Sequence, residues 1–220
     1  MFDYDQLLAT DKTILIATSN RGKLRDFTAA AAQQGLRVAP VPGFESLPEV
    51  LEDGTTFEAN ARKKAEHYSR FVPREIVLAD DSGLQVDALG GAPGVRSARY
   101  AAGKGESNSS DAANNARLLR ELAHVPDAQR QAQFVCVIAA ARDGSTLATF
   151  RGEAKGVMLH ALRGSGGFGY DPLFYFAELG KTFAELSAEE KAKVSHRGKA
   201  FRKFLQWYQQ QNDSRSQPQS

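Results

Sequence analysis

The amino-acid sequence predicts an α/β fold built on a mixed β-sheet, and three observations carry that expectation. Short β-rich runs alternate with amphipathic stretches of helical period. Two runs, residues 133–141 and 145–151, are joined by an Asp143-Gly144 turn signal and read as a hairpin, so part of the sheet is antiparallel. No repeat or long linker interrupts the pattern, and 220 residues, 42% of them hydrophobic, supply one core. The domain is expected over residues 13–208, between a polar lead-in at 1–12 and a disordered tail at 209–220.

The elements follow in order. Residues 13–17 form the first strand, and a helix runs from about Gly22 to Gln34, where Gly35 ends it. A second helix runs from about Thr56 to Phe71. Thr55 and Glu58 have the capping-box spacing there, Phe57, Ala61, Ala65 and Tyr68 form an apolar stripe, and Pro73 closes it. Residues 76–79 read as a buried strand, and Ser109 or Ser110 caps a helix at about 111–123. After the hairpin, residues 173–176 are β-rich, and a last helix starts near Ser195 and presents Phe201, Phe204, Leu205 and Tyr208.

Composition excludes several partners. With 25% charged residues and a formal net charge of +2, no whole-protein field draws nucleic acid or a membrane surface. No basic, aromatic-interleaved strand suggests RNA binding. No apolar stretch reaches the roughly 20 residues needed to span a bilayer, and no targeting pattern stands at the N-terminus, so the expectation is a soluble, cytoplasmic protein. The single Cys136, inside an apolar run, reads as a small buried hydrophobe and fits a reducing compartment.

Four constellations bear on chemistry. Thr18-Ser19-Asn20-Arg21-Gly22-Lys23 joins the first strand to the first helix. Such a turn aims backbone N–H groups and the positive end of the helix dipole at one point, and its hydroxyl, amide and lysine side chains suit a phosphate. The same residues also suit an ordinary capped turn, and the P-loop pattern is missing. Residues 76–79 then deliver Asp80-Asp81-Ser82-Gly83 to the end of a strand. Two adjacent carboxylates after an apolar run are costly unless a cation, hydrogen bonds or protonation compensates them, and hard oxygen ligands suit magnesium. A turn in which Asp and Ser cap backbone groups is the competing reading. Glu49, Glu52 and Asp53 offer a further carboxylate.

Gly164, Gly166 and Gly169 formally fit Gly-x-Gly-x-x-Gly. Pro172 and the β-rich run after it deny the helix that a dinucleotide site requires, so that reading is rejected. What remains is a loop whose Phe168 either stacks on a base or anchors the loop in the core. Lys191, Ser195, His196 and Arg197 cluster just before and at the start of the last helix, which alone reads as a solvated cap.

Together these residues resemble the inosine triphosphate pyrophosphatase family, the non-canonical purine triphosphate pyrophosphatases, from Thr13 to about Tyr208. The likeness is carried by residues 18–23, by Glu52-Asp53-Gly54-Thr55-Thr56-Phe57 with Asn60 and Lys64, and by Ala79-Asp80-Asp81-Ser82-Gly83-Leu84. It continues through Gly90-Gly91-Ala92-Pro93-Gly94, Ser97-Ala98-Arg99-Tyr100, Gly166 to Pro172 and Ser195-His196-Arg197-Gly198.

The resemblance implies an elongated mixed β-sheet flanked by helices, two lobes with the active site in the cleft between them, and a homodimer. It implies hydrolysis of ITP, dITP or XTP to the monophosphate and pyrophosphate with Mg2+. Thr18, Ser19, Asn20, Arg21, Gly22 and Lys23 would hold the phosphates with Lys64 assisting. Asp81 would be the catalytic base and, with Glu52, the metal site, and Ser82 would touch substrate. Phe168, Gly169, Tyr170, Asp171, Lys191, His196 and Arg197 would form the base pocket, the last three as charged donors to a 6-oxo purine. Two departures stand out: Ala59 replaces a glutamate the family usually has, and Leu51-Glu52 replaces an acid pair. Two rival functions remain, a pyrophosphatase for another modified nucleotide and a nucleotide-binding sensor without turnover.

Overall fold

The structure, a computed structural model, describes residues 13–103 and 108–216. The lead-in expected at 1–12 lies outside the described residues. Seven strands form one sheet: β1 (Thr13–Ile16), β2 (Arg37–Pro40), β3 (Val77–Val86), β4 (Gln131–Arg142), β5 (Ser145–Met158), β6 (Phe174–Phe176) and β7 (Lys181–Thr182). Their order is β2-β1-β3-β4-β5-β6-β7. β1 pairs in parallel with β2 and β3, and every later pairing is antiparallel, so the sheet is mixed as expected. Asp143 and Gly144, both at positive φ, make the β4–β5 turn with the backbone twist that a two-residue hairpin needs.

The helices are α1 (Arg21–Ala32), α2 (Phe57–Ser69), α3 (Asp111–Glu121), α4 (Ala188–Val194) and α5 (His196–Ser216). α1 and α5 cover one face of the sheet through Ile16, Phe27, Ile138, Phe201 and Phe204. α2 covers the other through Phe57, Ala61, Ala65, Val77 and Val137. A third cluster, Leu84, Val86, Leu118, Phe134, Phe174 and Phe183, closes the far end of the long strands. β4 is buried on both faces from Phe134 to Ala141, which is why its sequence is a continuous apolar run rather than an alternation. Among the described residues no helix is long and apolar enough to cross a membrane.

Four expectations change. Asp80 and Asp81 do not end a strand: β3 runs through them to Val86, because β4 pairs with every residue from Val77 onward. Thr56 caps α2, its side chain accepting from the Ala59 N–H, and the Thr55/Glu58 capping box is not formed. Lys191 belongs to a separate helix, α4, which Ser187 and Glu190 start with a capping box. The last helix continues past Tyr208 to Ser216, into the segment expected to be a disordered tail.

Candidate active site

Each side chain of the site arrives on a different element. Asn20 caps α1, its Oδ1 accepting from the Lys23 N–H at 2.9 Å, and Thr18 Oγ1 accepts from the Asn20 N–H at 3.1 Å. The first-turn amides of Arg21 and Gly22 then have no intrahelical acceptor and stand at the positive end of the helix dipole. Ser19, Asn20 and Arg21 are exposed, while Gly22 is buried.

Alternation along β3 sends its two carboxylates to opposite faces of the sheet. Asp80, on the face of α1 and α5, is 2% exposed. Its Oδ1 lies 3.1 Å from Lys23 Nζ and its Oδ2 3.3 Å from Arg197 Nη2, and Ser82 Oγ donates to Oδ2 at 3.1 Å. Burial alone would push its pKa up, but Lys23, Arg197 and Lys64 hold it well below the usual carboxylate range.

Asp81 faces α2. Its Oδ2 accepts from Asn60 Nδ2 at 2.9 Å and its Oδ1 from the Ser82 N–H at 3.0 Å. Burial pushes its pKa up, Glu52 adds to that, and Lys64 and Lys23 oppose it. Lys64 Nζ sits 2.9 Å from Glu52 Oε2; burial pulls its pKa down, but Asp81 and Glu52 carry it above the ordinary value.

The other wall comes from the glycine-rich loop, α4 and α5. Lys191 Nζ is 2.6 Å from Asp171 Oδ2, which also accepts from the Phe168 N–H at 2.9 Å and so folds the loop on itself. Asp26 ties Lys191, at 3.4 Å, to Arg197, at 2.7 Å. α3 grips Gly169 from both sides: its N–H donates to Asp111 Oδ2 at 2.6 Å and its carbonyl accepts from Asn115 Nδ2 at 2.9 Å. Phe168 is half-buried, its ring lying against Gly22 so closely that a Cβ there would come within 2.6 Å. Lys191 Nζ lies 4.8 Å from the centre of that ring. His196 stacks on Phe134, with ring centroids 4.7 Å apart and planes within 10°.

Asn20, Lys23, Ser82, Phe168, Lys191 and His196 line a cavity of about 100 Å³. A larger cavity, about 380 Å³, opens beside Arg74, Arg142 and Trp207, but it gathers neither paired carboxylates nor lysines.

A sequence profile of the Ham1 family matches residues 14–207. The chain belongs to the Ham1 family. The dITP/XTP pyrophosphatase of Acidobacterium capsulatum is 49% identical over 197 residues, covering 88% of this chain and 96% of that protein. The dITP/XTP pyrophosphatase of Geobacillus kaustophilus is 52% identical over 197 residues, covering 89% and 94%. The Staphylococcus aureus Ham1 protein superposes with a TM-score of 0.75 at 40% identity, covering 91% of this chain and all of that one.

In this Ham1 protein, the four constellations read from the sequence meet in one place. Two details differ from expectation. His196 is not a charged donor: burial, with Arg197 and Lys191 beside it, pushes its pKa well below the ordinary value, so the ring is neutral. Arg197 is 1% exposed and its guanidinium is occupied by Asp26, Asp80 and Ser82. Asp80 is ion-paired with Lys23 and Arg197, though its Oδ1 accepts no hydrogen bond, and Asp81 and Glu52 stay the acids expected to hold a metal. Among the described residues, no group of three His, Cys, Asp or Glu side chains is arranged to hold an ion alone. Two carboxylates whose charges oppose each other nonetheless suit a hard divalent cation that takes its other ligands from water and phosphate.

The sequence reading missed Asp26 and Asn115 and gave Asn60 no role. Helical spacing was the available signal for two of them. Asp26 follows Lys23 by three residues and Asn60 precedes Lys64 by four, so each shares a face with a lysine of the site.

Proposed function

We propose that this chain hydrolyses non-canonical purine nucleoside triphosphates, ITP, dITP and XTP, to the monophosphate and pyrophosphate in a magnesium-dependent reaction. The observation that carries this reading is the Asp81 carboxylate, buried, held on both oxygens and flanked by Lys64, beside a turn and helix N-terminus suited to phosphate. The dITP/XTP pyrophosphatase relatives support the substrate class.

Water attacks the α-phosphorus, and the β- and γ-phosphates leave together as pyrophosphate. Asp81 accepts the water's proton; a pKa raised by burial makes it a stronger base than an exposed aspartate. Lys23, the α1 amides and Lys64 bind the phosphate oxygens and meet the charge that grows on the leaving group. Asp81 and Glu52 would hold magnesium, which would supply further neutralisation of the triphosphate charge. Lys191 offers an N–H donor to the 6-oxo group beside the face of Phe168, whereas the amino group of adenine leaves that donor unpaired. Because His196 is neutral, its ring offers one donor and one acceptor rather than two donors.

The proposal places the enzyme in the cytoplasm, where nucleotide pools lie and the buried Cys136 thiol needs no partner. The homodimer rests on the family resemblance and is tested by sedimentation equilibrium. The role of Asp81 is tested by Asp81→Asn: turnover of dITP falls by roughly 1,000-fold or more while nucleotide affinity is largely kept. Near-parental kcat in that variant refutes the assignment.

A further inference from the structure

We propose that Asn60 is a positioning residue, a strut that fixes the direction of the Asp81 carboxylate and ties it to the turn carrying Glu52; the inference rests on the pyrophosphatase reading for the role of Asp81. Asn60 is 1% exposed and sits in the first turn of α2. Its Oδ1 accepts from the Gly54 N–H at 2.8 Å, and its Nδ2 donates to Asp81 Oδ2 at 2.9 Å. Rotating the amide by half a turn would set a donor against the Gly54 N–H and an acceptor against a carboxylate, so one orientation alone satisfies both neighbours.

Gly54 stands two residues after Glu52, whose carboxylate reaches Lys64. The space between Gly54 and the amide is already full, since a Cβ on Gly54 would come within 2.5 Å of Asn60 Oδ1. On its other oxygen Asp81 is held by the N–H of the adjacent Ser82, on the same strand. Asn60 adds a hold from a different element, and a carboxylate fixed on both oxygens presents its remaining lone pairs in one direction. Asn60 is too buried to meet substrate itself, and its side chain reaches the site only through the Asp81 carboxylate, so it acts on the chemical step through Asp81 rather than on substrate binding.

Two variants test this. Asn60→Asp keeps the shape and the acceptor for Gly54 but sets an acceptor against Asp81. Gly54→Ala drives a methyl group to 2.5 Å from Asn60 Oδ1 and 3.0 Å from Ala59 Cβ. Each variant should lower kcat for dITP roughly 10- to 100-fold, the loss typical of a group that orients a reacting carboxylate. KM and dITP binding without magnesium should stay at parental values, while the melting temperature falls because both variants disturb a buried contact. Since both act through one contact, the double variant should be no slower than the slower single.

Parental kcat in Asn60→Asp overturns the proposal. So does a fall in kcat accompanied by a matching rise in KM or loss of dITP binding, which marks a packing role, or a double variant whose losses multiply. A parent enzyme that releases no pyrophosphate from dITP defeats the pyrophosphatase reading instead.

Discussion

Successive side chains of β3 point to opposite faces of the sheet, so Asp80 and Asp81 enter different surroundings and take different duties. Asp80 meets two cations and a hydroxyl and becomes the counter-ion of Lys23 and Arg197. Asp81 meets an amide, a backbone N–H and a shared lysine, which leaves it lone pairs for chemistry. Asp80→Asn therefore removes a buried partner from two charges and should lower the unfolding free energy by about 3 kcal/mol or more at neutral pH in urea denaturation. The sign with pH follows from its lowered pKa. The stabilisation is present above the ordinary aspartate value of about 3.9 and is lost as pH falls through the folded-state value, so parent and variant should converge in acid. A gap that stays constant from pH 7 to pH 3 would contradict this assignment. The adjacency of the two acids was legible in the sequence; their division was not, because it depends on α1 and α5 lying on one face and α2 on the other.

At the scale of elements, the phosphate turn and the base loop are one construction, since Phe168 rests on Gly22. Gly22→Ala puts a methyl group where that ring lies and should raise KM for dITP about 10-fold, the equivalent of roughly one stacking contact, with a smaller effect on kcat. Steady-state kinetics check it, and an unchanged KM would show that Phe168 moves clear of Gly22 without consequence. A similar close approach seats α5 on the sheet, where a Cβ on Gly152 of β5 would lie 2.1 Å from the His196 carbonyl. The helical stripes of α1, α2 and α5 and the Asp143-Gly144 turn were readable because local spacing encodes them. β2 is four residues long and ends in Pro40, and α4 is one short turn pair, so neither shows a full period. β3 was cut short in the sequence reading because Asp-Asp-Ser-Gly looks like a turn; pairing with β4 along its whole length overrides that local preference.

Across the whole molecule, a formal net charge of only +2 conceals a strong local ordering of charge. Lys23, Lys64, Lys191 and Arg197 converge on the cleft, each paired with Glu52, Asp26, Asp80 or Asp171. The cations are thereby held in place for a polyanion while the protein as a whole stays nearly neutral, which is why composition does not reveal the anion site. The cavity lined by Lys23, Phe168 and Lys191 opens beside Ser82 and Gly83 of β3, the strand that carries the acidic pair. Pyrophosphate release from dITP, XTP, GTP, ATP and dUTP, with and without magnesium, tests the account most directly. It predicts magnesium-dependent turnover of dITP and XTP roughly 100-fold or more above the other three. Silence on every nucleotide, or ATP cleaved as fast as dITP, would contradict it.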